Sequence, residues 1–152
     1  MDVLHWNAGR WDCLRLFGEE PLMPIEVYAY YIERICVRIK KYLPDTKVIF
    51  ATSTRVQSEK MADNFKRYNE EIEKYNEAAV AVVKKFGFAV NDLYAVSATL
   101  PEEAHSDAVH YYTPLGTEAF ANAFLSHVLA ALELEKEIVY KEELHTDEPI
   151  GI

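Results

Sequence analysis

The sequence predicts an α/β protein. Three short apolar runs alternate with longer segments of helical period, in the order strand, helix, strand, helix, strand, loop, helix. That alternation implies right-handed crossovers on a mostly parallel sheet, covered by helices on both faces in a three-layer arrangement. At 152 residues, half of them apolar, the chain suffices for one domain with a real core.

Asp2-Val3-Leu4-His5-Trp6-Asn7 is largely apolar, ends in polar residues and is followed at once by Gly9, as a strand delivering side chains to a loop would be. Gly18, Pro21 and Pro24 mark a connection. From Pro24 to Leu43 the period is helical: Tyr28, Ile32, Ile35, Cys36, Ile39 and Leu43 share one face, with Arg34, Arg38, Lys40 and Lys41 off it. Pro44 ends that helix, because it cannot extend the hydrogen-bond ladder and restrains the residue before it. Val48-Ile49-Phe50-Ala51 reads as a strand buried on both faces.

A second helix is expected through Met61, Phe65, Tyr68, Ile72, Tyr75, Ala79, Val82 and Phe86, with Gly87 as its C′ residue. Phe88-Ala89-Val90 is a very short strand, and Asn91-Asp92-Leu93-Tyr94 a turn or short helix. Thr113 fits an N-cap with Pro114 at the first helical position, where a missing amide hydrogen costs nothing. Phe120, Phe124, Val128 and Leu132 line the apolar side of this last helix. The stretch Glu133–Glu143 reads as a solvated helix end, and 146–152 as frayed. The expected division is a domain over 1–134 and an acidic appendage over 135–152.

Composition excludes several functions. Sixteen Lys and Arg against 25 Asp and Glu leave a net charge of −9, which disfavours nucleic acid as a partner. No run of eighteen apolar residues exists, so no membrane span is expected. Met1-Asp2-Val3-Leu4 lacks the basic-then-apolar pattern of a secretory signal. Cys13 and Cys36, the only two cysteines, read as reduced thiols in a cytoplasmic protein.

Ligands of open parallel sheets bind beyond the C-terminal strand ends. Three sets of polar residues are expected there: Asn7, Thr52 to Arg55, and the loop holding Asp107 and His110. A carboxylate three residues before a histidine can fix the imidazole tautomer through Nδ1 and stabilise the cation formed when Nε2 takes a proton. Asp-x-x-His is common by chance, and an ordinary loop role remains open on spacing alone. A metal site from His5, His105, Asp107 and His110 is the lesser alternative, since no HxH or HExxH pattern supports it. His5 reads better as a packed, hydrogen-bonded residue of the first strand. Trp6 and Trp11 either line a pocket or cover the sheet end, and Tyr28, Tyr30 and Tyr31 read as core with solvated hydroxyls.

Ser106-Asp107-Ala108-Val109-His110-Tyr111-Tyr112-Thr113-Pro114-Leu115-Gly116 resembles the last block of the SGNH (GDSL-type) esterase and lipase family. The opening stretch from Asp2 to Asp12 resembles that family's third block in a bacterial branch. Asn91-Asp92-Leu93-Tyr94 resembles the segment ahead of its histidine loop. The resemblance implies a flavodoxin-like SGNH fold and hydrolysis of acyl or acetyl esters, including esters on carbohydrate, with no cofactor and no metal. It implies His110 as general base, Asp107 as its orienting acid and Asn7 as an oxyanion-hole amide, with Asp12 structural.

The departure is as informative. The family's Gly-Asp-Ser nucleophile block and its second block have no match, and Met1 falls directly on the third block. A site without its serine is expected to be weak or inactive, because the acyl-enzyme route is closed. Alternatives are a non-catalytic binding or assembly module, or half of a site completed in trans. The Asp2–Asn7 strand, apolar and at a sheet edge, is the expected contact for a second copy or an N-terminal partner.

Overall fold

The computed structural model describes residues 1–18 and 20–141. Three parallel strands form the main sheet: β1 (Val3–Asn7), β3 (Lys47–Ala51) and β5 (Ala89–Asn91), in the order β1-β3-β5. β1 pairs with β3 from Val3 opposite Lys47 to Asn7 opposite Ala51, so both chains end at the same level. β5 extends the sheet with Asn91 opposite Ala51.

Helix α1 (Ile25–Tyr42) and helix α2 (Asn69–Lys85) pack together over one sheet face. Tyr28, Ile32, Cys36 and Ile39 of α1 meet Ile72, Tyr75, Ala79 and Val83 of α2 above Val48 and Phe50. These positions follow the predicted helical period, and Pro24 and Leu43 bracket α1 as expected. Helix α3 (Leu93–Ala98) and helix α4 (Pro114–Ala131) lie on the opposite face, where Phe124 meets His5 edge-on at 4.9 Å. The fold is α/β and three-layered.

The second helix starts later than its periodicity suggests. Residues 58–60 form a single 3₁₀ turn, and Phe65–Lys66 (β4) pair antiparallel with Arg15–Leu16 (β2). The Phe17 amide bonds the Asn64 carbonyl at 3.1 Å. Pairing with the 15–17 loop therefore takes Met61 and Phe65 out of the helix. At Asn69, the first residue of α2, the carboxamide clasps both the amide (2.9 Å) and the carbonyl (3.0 Å) of Val56.

Two helices end alike with different residues. After α2, Gly87 takes φ +70° while the Phe88 amide bonds the Val83 carbonyl at 3.2 Å, a Schellman closure with the expected glycine. After α4 the same closure is built on Glu133 at φ +55°, with the Leu134 amide on the Leu129 carbonyl at 3.0 Å. The expectation of a solvated helix end over Glu133–Glu143 is thereby corrected, since no helix continues past Ala131 among the described residues. The chain instead doubles back until Tyr140 exchanges two hydrogen bonds with the Asn122 carboxamide, at 2.7 and 3.0 Å. The frayed segment expected over 146–152 lies outside the described residues.

α4 is apolar on every side, yet Gly116 is its only buried residue. Phe124 is 40 % exposed and Leu115 47 %. The outer edge of β1 carries no paired strand among the described residues. No described helix is long and apolar enough to cross a membrane.

Candidate active site

All three parallel strands deliver their loops to one end of the sheet, and the loops are tied together there. Arg10, three residues past β1, is the tie: Nη1 donates to the Val109 carbonyl at 2.6 Å, and Nη2 reaches the carbonyl (3.3 Å) and hydroxyl of Thr54. The Gln57 amide adds a bond to the Ala108 carbonyl at 2.8 Å. The 105–111 loop is thus seated on the turns that follow β1 and β3. Burial holds the Arg10 pKa below its ordinary value.

Within that loop Asp107 organises the backbone. Its Oδ1 accepts from the amides of Val109 (2.7 Å) and His110 (2.8 Å), and its Oδ2 faces His110 Nδ1 at 2.8 Å. The Val109 amide first, then the imidazole, pull the Asp107 carboxyl down to about 2. A carboxylate so held is ionised throughout the physiological range, places the imidazole proton on Nδ1 and leaves Nε2 as the basic nitrogen. Both side chains are about half exposed. His110 opens onto a groove of about 480 Å³, lined also by Leu93, Phe120, Ala121 and Phe124. No described hydroxyl hydrogen-bonds His110 Nε2.

Thr113 and Gly116 fix the loop to α4. The Thr113 hydroxyl accepts from the Gly116 amide (3.1 Å) and donates to the Ala104 carbonyl (2.7 Å). A Cβ on Gly116 would stand 2.5 Å from the Tyr111 carbonyl oxygen and 2.8 Å from that of Ala104. The Thr-Pro-x-Gly sequence therefore has a steric reason: the loop backbone lies directly on the first turn of the helix.

Asn7 ends β1 at the same sheet end, exposed, with one carboxamide hydrogen given to the Ala51 carbonyl at 2.7 Å. Gly9 follows at φ +121°, a conformation L-residues rarely adopt, where a Cβ would also meet the Tyr28 hydroxyl at 2.9 Å. That hydroxyl donates to the Ala8 carbonyl at 3.1 Å, so Tyr28 belongs to the turn as well as to the core. Asp12 takes part through its carbonyl, which accepts from the Met23 amide at 3.0 Å. The residue that holds the turn is Arg10, which sequence reasoning passed over. A lone arginine after a Gly carries no periodic or motif signal.

The other candidates separate. His5 lies in the sheet with Nε2 3.2 Å from the Asn91 carboxamide, as a packed, hydrogen-bonded residue. His105 stacks on Tyr111 with ring centroids 3.9 Å apart. Among the described residues no three His, Cys, Asp or Glu side chains converge as metal ligands would. Trp6 packs edge-on against Phe50, while Trp11 is exposed beside Phe65 and Arg67. The Ser53 hydroxyl is buried and points to the Ala8 carbonyl (3.4 Å), and that of Ser106 accepts from the Tyr112 amide (3.1 Å).

A parallel sheet covered by helices on both faces, with its polar loops gathered at the C-terminal strand ends and a carboxylate–imidazole pair just before the last helix, defines an open three-layer α/β fold. The comparisons place it more closely: the chain has the SGNH (GDSL-type) hydrolase fold. An acetyl-xylooligosaccharide esterase from Geobacillus superposes with TM-score 0.62 and 17% identity, over 93% of this chain and 63% of that one. A lipase/acylhydrolase from Enterococcus faecalis matches with TM-score 0.58 and 18% identity, over 77% and 56%. A GDSL-like lipase from Parabacteroides merdae gives TM-score 0.56 and 18% identity, over 74% and 51%. The chain spans between half and two-thirds of the length of these proteins. No family model matches the sequence, and no curated protein matches it.

Proposed function

We propose that this chain carries the acid–base arm of a carboxylic-ester hydrolase, acting on acyl or acetyl esters, including esters borne on carbohydrate. The observation that carries the reading is the Asp107–His110 pair, Nδ1 to Oδ2 at 2.8 Å, with His110 lining an open apolar groove. In the reaction, a hydroxyl oxygen adds to the acyl carbon as Nε2 takes its proton, and Asp107 stabilises the imidazolium. The same proton then passes to the alcohol oxygen as the ester C–O bond breaks, and water releases the acyl group by the same sequence. The carboxamide hydrogen of Asn7 not held by Ala51 is the donor assigned to the developing oxyanion.

The nucleophilic hydroxyl comes, in this reading, from a polypeptide strand laid beside β1. The unpaired β1 edge, the half-bare α4 and the greater length of the structural neighbours support it. Without such a strand His110 can activate only water, and hydrolysis is weak. The hydrolase-like unit is taken as 1–134 with 135–152 as an appendage. A cytoplasmic setting is inferred from the two unpaired, buried thiols of Cys13 and Cys36.

The test is hydrolysis of p-nitrophenyl acetate by this chain and by its His110→Ala and Asp107→Asn forms. Rates above background that fall in both variants support the acid–base assignment. Equal rates in all three remove catalysis by the chain alone. The second reading, a non-catalytic assembly module, is favoured by the apolar α4 surface, with a homodimer through β1 as its simplest form. Light scattering decides that form: a monomer at all concentrations excludes it.

A further inference from the structure

Apart from the His110 groove, a pocket of about 290 Å³ lies where the turn after β3, the end of α3 and the 101–111 loop meet. Arg55, Gln57, Ser97, His105 and Tyr111 contribute its polar wall, and Val56 and Leu100 an apolar patch. Most polar groups around it are already spent on the framework. The Ser97 hydroxyl bridges the Arg55 amide (3.0 Å) and the Tyr94 carbonyl (2.7 Å), the Tyr111 hydroxyl donates to the Arg55 carbonyl (3.2 Å), and Asn69 is committed to Val56.

Gln57, His105 and Arg55 are the exceptions: His105 Nδ1 is buried with no partner among the described residues, and the Gln57 side chain is uncommitted. Gln57 is only 9 % exposed and its backbone is fully used, its amide on Ala108 and its carbonyl on Lys60. Yet its carboxamide has no hydrogen-bond partner among the described residues. Its polar atoms are not among the buried unpartnered ones, so the carboxamide is reached from the pocket and can donate to and accept from a molecule that enters it. Arg55 adds a guanidinium that makes no ion pair among the described residues. Burial holds the His105 imidazole below its ordinary pKa, so at neutral pH it is uncharged and offers one donor and one acceptor.

The charges around the mouth cancel. Arg55 and Glu59 both line it, and Lys60 is paired with Glu102. An anion or a cation gains at one side what it loses at the other. A neutral ligand whose groups both donate and accept suits the carboxamide, imidazole and guanidinium together, with Val56 and Leu100 to take its C–H face. We propose that this pocket binds a small neutral polyhydroxylated ligand of monosaccharide size, with Gln57 as its central hydrogen-bonding residue. The site does not depend on ester hydrolysis, and its test reads binding alone.

The test is a ¹H–¹⁵N NMR titration of the full chain with methyl xyloside, using sodium acetate and methylammonium as anionic and cationic comparators. The expected result is saturable shifts of the Gln57 side-chain amide and the Ser97 and His105 backbone amides with methyl xyloside, at millimolar Kd. Gln57→Leu, which keeps the size and removes the polar atoms, should weaken binding about tenfold or more. Arg55→Met, at an exposed position, should weaken it as well and covers the case of Gln57→Leu failing to fold. No saturable shift with methyl xyloside overturns the proposal, as do equal or larger shifts with either ion, or binding unchanged in a folded variant.

Discussion

Replacing Gly116 by alanine sets two known effects against each other. In an ordinary helix, alanine in place of glycine gains about 1 kcal/mol. Here the new Cβ falls 2.5 Å from one loop carbonyl oxygen and 2.8 Å from a second, and both belong to backbone that cannot rotate away. Relief requires the loop at 104–111 to rise off α4, or α4 to tilt away from the sheet. Overpacking of this kind costs about 1–3 kcal/mol. With both contacts to backbone the cost lies in the upper part of that range, about 2–3 kcal/mol, so the clash wins and Gly116→Ala is expected to lose about 1–2 kcal/mol net, a drop of roughly 0.5–1 M in the urea midpoint. Lifting the loop also loosens the Asp107–His110 pair, so the backbone amides of Val109 and His110 should exchange faster with deuterium. A variant as stable as wild type, or more so, would show that the loop does not rest on the first turn of α4.

Arg10→Met should cost about 2 kcal/mol in urea unfolding, because it strips charged donors from the Val109 and Thr54 carbonyls, and the 105–111 loop should show the largest rise in exchange. Glu133→Gly should raise stability by up to about 1 kcal/mol in the same assay, since the left-handed φ of +55° is free for glycine and strained for glutamate. His5 gives a pH dependence. Burial first, then His127, lower its pKa, so the unfolded chain binds its proton more readily than the folded one. Stability should therefore be intact above about pH 6.5, fall as pH drops from there toward the lowered value, and level off below it. The difference between wild type and His5→Gln, measured by thermal melts across that range, isolates this contribution.

What could be read from the sequence follows from which interactions are local. α1 was legible because its face repeats at helical spacing and Pro24 and Pro44 bracket it. The Thr113–Pro114 start and the Gly87 stop were legible because capping is written in single residues. Met61 and Phe65 continue the period of α2 but lie outside it, because the β2–β4 pairing is made with residues some fifty positions away, which no local pattern reports. The α4 stop was missed because Glu133 does a glycine's work.

In the candidate site, Asp107 and His110 were found because the pair is made within one turn. Arg10 was not, because its partners lie 44 and 99 residues away. Phe124 and Leu132 were read as part of the apolar side of the last helix, and both stay more than a third exposed. An apolar stripe tells that a surface seeks cover without telling which surface supplies it.

The open margin of β1 and the half-bare apolar surface of α4 bear on how these residues behave before they are covered. An unpaired strand edge and an uncovered apolar helix surface are features that chaperones and proteases recognise in incompletely folded chains. On the proposal that a further strand covers β1, these 152 residues produced without that strand should self-associate as concentration rises, through the uncovered apolar surface and not through the acidic remainder.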